Sequence, residues 1–335
     1  MRAEQALDVD GLKVEFSGLP PVVRNVSLRV EAGQAFGLVG ESGSGKSLTL
    51  RAILGLLPSG ARATGSIRYG NRSLLELSPA DLQALRGSTI GMVFQDPMTA
   101  LNPVLRVGNA IAQVIEAHER IGHGEALRRA VEMMERVGIR GAARRSRAYP
   151  HQFSGGMRQR VVIAMALAAH PSLLLADEPT TALDVIVQAE ILHLLDRLRR
   201  RDGMTLILVS HDFGVVAGIC DRVGVMYAGQ MVEMGATRDV LLHPRHPYTI
   251  GLISSLPEAG DRRRLRPIPG AAPDPAQLPL GCAFAPRCPL AIDACRAAPI
   301  PLIQTDAGHF SRCIRIDHLE EIERFASAPR APIDV

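Results

Sequence analysis

The chain has 335 residues, 47% of them hydrophobic, enough for one large domain with an appendage or for two domains with a sizeable core. Aromatic residues make up 4% and tryptophan is absent, which argues against a stacking platform for single-stranded nucleic acid. The net charge of +4 is too weak to imply a nucleic-acid partner and suits phosphate ligands or a membrane-associated partner. The N-terminus carries acidic residues early and has no apolar core, so no signal peptide is expected and the protein is expected in the cytosol. Gln34 to Val39 predicts a short buried strand, then a Gly-rich turn from Gly40 to Gly45 and an apolar helix from about Lys46 to Leu56. Ile90 to Phe94 predicts another strand. From about residue 105 to 138 the apolar spacing is helical, with Gly122 and Gly124 expected to separate two helices. Ser154 to His170 predicts a helix with Ser154 as N-cap. Its most apolar part, Val161 to Ala169, is about half of the roughly 20 residues needed to cross a bilayer. Ser172 to Ala176 and Thr205 to Ser210 predict strands on either side of a helix from about Val185 to Arg201. Strands that are nearly continuous in apolar residues and alternate with helices imply a buried parallel sheet. Beyond Val223 the elements shorten, and Ala228-Gly229-Gln230 predicts a hairpin turn.

Two segments carry phosphate chemistry. Gly40-Glu41-Ser42-Gly43-Ser44-Gly45-Lys46-Ser47 has the spacing G-x-x-x-x-G-K-[ST] between a predicted strand and a predicted helix. Its glycines (Gly40, Gly43, Gly45) let the backbone, with Ser42 and Ser44, fold around phosphate oxygens, and its N–H groups point inward at a helix start that favours anions. Lys46 supplies a charge to the β- and γ-phosphates of a nucleotide and Ser47 a hydroxyl to Mg²⁺. Such a loop alone does not separate a GTPase, a kinase and a transport ATPase. Leu173 to Glu178 is a buried strand ending in two acids. Asp177 stands where Mg²⁺ needs a second anchor, and Glu178 can polarise an attacking water.

Phe153-Ser154-Gly155-Gly156-Met157-Arg158-Gln159-Arg160 makes a second anion site of bare backbone N–H groups at a helix start. Here the chain resembles the ABC ATPase family, whose signature reads Leu-Ser-Gly-Gly-Gln. Phe153 and Met157 depart from that pattern, while the core of Ser154, Gly155 and Gly156 is kept. The resemblance covers about residues 8 to 256, with six motifs in family order. It implies a Q-loop at Gln95, which also serves Mg²⁺, a D-loop at Asp184 and a switch histidine at His211. It matches Phe16 to an aromatic that stacks on adenine, although a Phe in an alternating strand also suits a core.

The implied fold is an α/β P-loop NTPase of ABC ATPase type. It has a mostly parallel core sheet, an antiparallel β subdomain and a helical subdomain at about 96–170, within a nucleotide-binding domain at 1–256. Residues 257–335 would form a Pro-rich connector and a Cys-containing tail. The implied mechanism faces two ATPase domains head to tail, each ATP lying between one phosphate loop and the other signature. The partners implied are a second, distinct ATPase subunit, two transmembrane permease subunits and, indirectly, an extracytoplasmic substrate-binding protein. Nucleic acid is not among them. The location implied is the cytoplasmic face of a bacterial inner membrane. Asp96 to Pro103 and Tyr149 to Gln152 are candidate couplers to the permease, or ordinary surface loops.

Phe94 to Pro103, Tyr149 to Arg160, His243 to Leu256 and the tail most resemble ATPases of dipeptide and oligopeptide importers, with nickel importers as close relatives. A nickel or other small-solute importer is the alternative, and a non-transport ABC ATPase the more distant one. His243-Pro244-Arg245-His246-Pro247-Tyr248-Thr249 is a particular match whose prolines start a short helix, with no chemistry evident. Around Pro257 to Pro279 the sequence becomes Pro-rich and carries Arg262, Arg263, Arg264 and Arg266. Of five cysteines, Cys220 stands alone, and Cys282, Cys288, Cys295 and Cys313 cluster without a C-x-x-C zinc spacing. Four thiolates suit Zn²⁺ or an iron–sulfur centre. The resemblance implies a [4Fe–4S] cluster, with Zn²⁺ or free buried thiols as the alternatives.

Overall fold

The computed structural model describes residues 6–181, 183–255, 268–271, 273–274 and 277–320. In chain order the strands are β1 (Leu7–Phe16), β2 (Val23–Val30), β3 (Ala35–Val39), β4 (Ala61–Tyr69), β5 (Arg72–Ser73) and β6 (Ile90–Val93). They continue with β7 (Leu173–Asp177), β8 (Thr205–Ser210), β9 (Arg222–Tyr227), β10 (Gln230–Ala236), β11 (Ile303–Asp306) and β12 (His309–Ser311). One sheet is antiparallel, in the order β2-β1-β4-β5. The other runs β11-β12-β10-β9-β3-β8-β7-β6, parallel from β9 to β6 and antiparallel from β9 to β11.

The central strands show why their sequences lack alternation. Along β7, Leu173 and Leu175 enter one core cluster, while Leu174 and Ala176 enter the other. Along β8, Ile207 and Val209 face the first core, and Leu206 and Leu208 the second. A sheet covered on both faces needs apolar residues at both phases of its two-residue period. In β1 the buried set is Leu7, Val9, Leu12 and Val14, and the phase slips at Gly11. Gly11 has φ 60°, and the pairing with β2 shifts between Val9 and Leu12. The slip keeps both halves of the strand facing the same core.

On the opposite face of the main sheet, three helices, Val107–His118, His123–Arg136 and Gly155–Leu167, build one lobe of the second core through Ile111, Ile115, Ala130, Met134, Val161 and Ala164. The break between the first two differs from expectation. The first helix ends at His118, Gly122 occupies the N-cap of the next, and Gly124 lies inside its first turn. A glycine costs only about 1 kcal/mol inside a helix, and no atom lies near a Cβ built on Gly124. The helix starting at Lys46 stops at Ile53, short of Leu56, because Gly55 turns the chain at φ 60°.

The C-terminal region joins the main sheet rather than standing apart. β12 pairs with β10 through Glu233↔Ser311 and Met234↔Phe310, and β11 adds to the edge. Beneath this junction His309 Nε2 lies 2.7 Å from Glu233 Oε1, with both side chains buried. The arginine run from Arg262 to Arg266 and most of the expected connector lie outside the described residues.

Candidate active site

The loop after β3 is shaped by contacts only glycine permits. A Cβ on Gly40 would stand 2.1 Å from the backbone oxygen of Met226 in β9. Gly45, at φ 97°, caps the helix starting at Lys46, and no side chain hydrogen-bonds to that cap. The N–H groups of the first turn are thereby left for an anion. Ser44 O accepts from Gly229 N–H at 3.0 Å, which ties the loop to the β9–β10 turn. Lys46 is buried, and its Nζ donates to Gly40 O at 2.7 Å, Glu41 O at 2.8 Å and Ser44 Oγ at 3.3 Å. Burial lowers its pKa, opposed by the charges of Glu178, Asp177 and Glu41.

At the end of β7, next to this loop, Ser47 Oγ donates to Asp177 Oδ1 at 2.8 Å. Burial raises the Asp177 pKa and the Ser47 bond opposes it. Glu178 sits one residue on, at φ 45°, a left-handed conformation uncommon for a residue with a Cβ and often found where function holds strain. Its Oε2 accepts from Gln95 Nε2 at 3.0 Å and from Thr181 Oγ1 at 2.9 Å, and lies 3.4 Å from His211 Nδ1. Thus β6, β7 and β8 deliver Gln95, Glu178 and His211 to one carboxylate oxygen from the same ends of parallel strands. This is the edge at which open α/β sheets bind ligands.

Ser154 is the N-cap of the helix Gly155–Leu167, accepting from Met157 N–H. A Cβ on Gly156 would meet Val187 at 2.4 Å, and one on Gly155 would meet Leu183 at 3.4 Å, so both glycines pack on the segment that holds Asp184. Asp184 caps the helix Val185–Asp202 by accepting from Val187 N–H at 2.9 Å. Ser42 and Gly43 lie on the exposed rim of the phosphate loop.

The chain is similar to known proteins along most of its length. The family described as "ABC transporter" matches residues 23–181, and that described as "Oligopeptide/dipeptide transporter, C-terminal region" matches residues 232–295. The oligopeptide transport ATP-binding protein OppD of Salmonella typhimurium is 46% identical over 93% of this chain and 94% of its own length. A putative peptide import ATP-binding protein of Brucella ovis is 48% identical over 94% of this chain and 98% of its own. The chain belongs to the ABC transporter family, among the ATP-binding subunits of oligopeptide/dipeptide transporters. Its fold matches the ATP-binding cassette MJ0796, solved as a dimer with ADP and Pi, at TM-score 0.62 and 30% identity over 69% of this chain and 99% of that one. It also matches cbiO1 of Clostridium perfringens, part of an ABC transporter complex, at TM-score 0.63 and 28% identity over 73% and 94%. The protein is a transport-coupled ATPase with an ABC cassette fold.

In this ABC ATPase, Phe16 is half-buried at the end of β1, two residues past Val14, whose partner Val23 lies against Gly45. Sequence reasoning missed two contacts. Thr181, three residues before the expected D-loop residue Asp184, donates to Glu178 Oε2. Tyr248, on the helix Pro247–Ser254, accepts from the Glu41 N–H at 2.8 Å through its Oη, so the His-Pro-Tyr motif braces the phosphate loop.

The tail cysteines depart from expectation. Cys282, Cys288, Cys295 and Cys313 line one cavity of about 10 Å³, beside His246 and Phe284. Among the described residues, however, no three His, Cys, Asp or Glu side chains are grouped to hold a metal ion. A tetrahedral zinc would draw its sulfurs to about 2.3 Å of the metal, and a cluster held by the same four thiolates would need the same convergence. None of the four is in a disulfide, and burial pushes Cys288 up to about 11 and Cys313 to about 12.

Proposed function

We propose that this ATPase drives the uptake of di- and oligopeptides through a bacterial membrane importer. The observation that carries the engine is the single Glu178 oxygen contacted by Gln95, Thr181 and His211, one residue from the Ser47–Asp177 pair. The cargo reading rests on relatives named for peptide transport and on the match of residues 232–295 to an oligopeptide/dipeptide transporter region.

ATP docks its phosphates on the loop from Gly40 to Ser47, and Lys46 leaves its backbone partners for the outer phosphates. Phe16 stacks on the adenine. Ser47, Asp177 and Gln95 are the residues that would hold Mg²⁺, which would neutralise phosphate charge. Glu178 takes the proton of the attacking water, a contribution of about 10²–10⁴-fold, and His211 contacts the γ-phosphate. Ser154, Gly155, Gly156 and Asp184 serve the nucleotide held by a second, distinct ATPase subunit. Val185 and Ile186, beside Asp184, are 82% and 75% exposed, an apolar surface suited to that subunit. Val104, 80% exposed after Pro103, is suited to a permease helix. Among the described residues no helix is long and apolar enough to cross a membrane. The membrane partners in this proposal are two permease subunits, engaged at the cytoplasmic face. A substrate-binding protein supplies cargo from the other side.

Residues 1–256 act as the nucleotide-binding domain and 257–335 as a C-terminal extension. Cys282, Cys288, Cys295 and Cys313 are the residues that would hold a [4Fe–4S] cluster. Their common cavity supports this, and the cavity must widen from its present size to admit one. Iron and acid-labile sulfide measured on anaerobically purified chain test it, and absence of both removes the cluster.

Uptake of labelled di- and oligopeptides in cells carrying the permease subunits tests the function. The intact chain supports uptake and Lys46→Ala does not. ATP hydrolysis without peptide uptake would keep the engine and replace the cargo with nickel or another small solute.

A further inference from the structure

The phosphate loop contains an acid. Glu41 follows Gly40 directly, and its charge is one of the three carboxylate charges that reach Lys46. A free carboxylate there would repel the polyphosphate that the loop exists to bind. The structure answers it from 246 residues away: Arg287 forms a two-pronged pair with Glu41, Nη1 to Oε2 at 2.8 Å and Nη2 to Oε1 at 3.0 Å. This fork geometry fixes the carboxylate as well as neutralising it.

Arg287 is itself held on several sides. Its Nε donates to Pro269 O at 2.8 Å and its Nη1 to Tyr227 Oη at 3.3 Å. The guanidinium carbon stands 5.9 Å from the ring centres of both Tyr227 and Phe284. Those rings pack with Tyr248, whose Oη takes the Glu41 N–H. The Arg287 side chain is 8% exposed, so the pair is shielded from solvent and salt on the arginine side. Both ends of Glu41, backbone and carboxylate, are therefore gripped from beyond residue 246.

We infer that Arg287 is a positioning residue for the nucleotide site, and that the C-terminal segment sets ATP affinity by cancelling the Glu41 charge and fixing the phosphate loop. Docking of this segment makes the loop competent for ATP, and anything that displaces it unmasks an acid in the loop. The inference rests on the nucleotide-site reading above.

The test is MgATP binding to the purified full-length chain by titration calorimetry. It compares the intact protein, Arg287→Ala, the double variant Arg287→Ala/Glu41→Gln, and Lys46→Ala as control, with the thermal midpoint of each nucleotide-free protein. Arg287→Ala weakens binding about tenfold at low salt, the order expected for one uncompensated charge near the phosphates, and the deficit narrows as salt rises. The double variant regains most of the lost affinity, because removing the exposed acid removes the repulsion. A purely structural role predicts a lower midpoint in both variants with no recovery. Should Arg287→Ala not fold, Arg287→Lys reads the same point: it keeps the charge and loses the fork, and its deficit is smaller than that of Arg287→Gln. Unchanged affinity in Arg287→Ala, a loss that Glu41→Gln does not recover, or equal deficits for Lys and Gln overturns the inference. If the intact chain binds ATP no better than Lys46→Ala, the nucleotide-site reading itself has failed instead.

Discussion

Replacing Glu178 with Gln exchanges one oxygen for an NH₂ group where three polar side chains meet. The carboxylate accepts from Gln95 at 3.0 Å and Thr181 at 2.9 Å, with His211 at 3.4 Å. The amide keeps one acceptor oxygen and nearly the same volume, so the backbone at φ 45° and the Glu178 N–H bond to Val209 O are undisturbed. What disappears is the capacity to take a proton. Losing a general base costs about 10²–10⁴-fold in rate, or about 2.7–5.5 kcal/mol of barrier. ATP affinity stays near that of the intact chain, because Lys46 and the loop N–H groups are unaltered. Single-turnover phosphate release, with ATP affinity by calorimetry, separates the two quantities. The variant is expected to bind ATP, lose hydrolysis and accumulate the ATP-bound assembly with its partner ATPase. Turnover within threefold of the intact chain, or a loss of binding that accounts for the loss of rate, would refute the role assigned to Glu178.

Three further outcomes follow from the packing. Gly229→Ala places a Cβ 2.1 Å from Val22 O at φ 80°; the left-handed backbone alone costs about 1 kcal/mol, so urea unfolding shows at least that loss, and ATP affinity falls because Gly229 N–H anchors Ser44 O. Glu233→Ala removes the buried acceptor of His309 and of the Arg245 N–H, lowering the unfolding free energy by about 1–3 kcal/mol; an unchanged urea midpoint would show that the tail junction does not depend on this acid. Cys220, buried and with its thiol pKa raised chiefly by burial, resists N-ethylmaleimide in the folded chain at neutral pH and reacts on unfolding; rapid native labelling, read by peptide mass mapping, would contradict the burial.

The nucleotide loop and the strands around it were legible because their constraints are local. A loop that wraps phosphate needs glycines at fixed offsets, and strands buried on both faces advertise themselves as unbroken apolar runs, as β7 and β8 do. The hairpin turn was legible for the same reason: Ala228 and Gly229, at φ 46° and 80°, form the kind of turn their sequence suggested. Less was visible where a residue's partner lies far along the chain. Nothing near Tyr248 or Arg287 shows that both reach Glu41, since the pairing exists only once the fold has brought Tyr227, Tyr248 and Arg287 together beside the phosphate loop. β11 escaped notice because its residues are mostly exposed and follow no alternation. The Cys tail was legible in part: four cysteines close in sequence can meet, and the fold brings them to one cavity.

The most direct test of the central claim is ATP-dependent peptide accumulation in proteoliposomes. The chain, its partner ATPase and the two permease subunits are reconstituted with a peptide-loaded binding protein on the side opposite the ATPases. The account predicts that labelled peptide crosses toward the ATPase side only with hydrolysable ATP, and that Lys46→Ala or Glu178→Gln in this chain abolishes the flux. Peptide movement that persists with Lys46→Ala, or ATP hydrolysis that proceeds without any peptide flux, would contradict it.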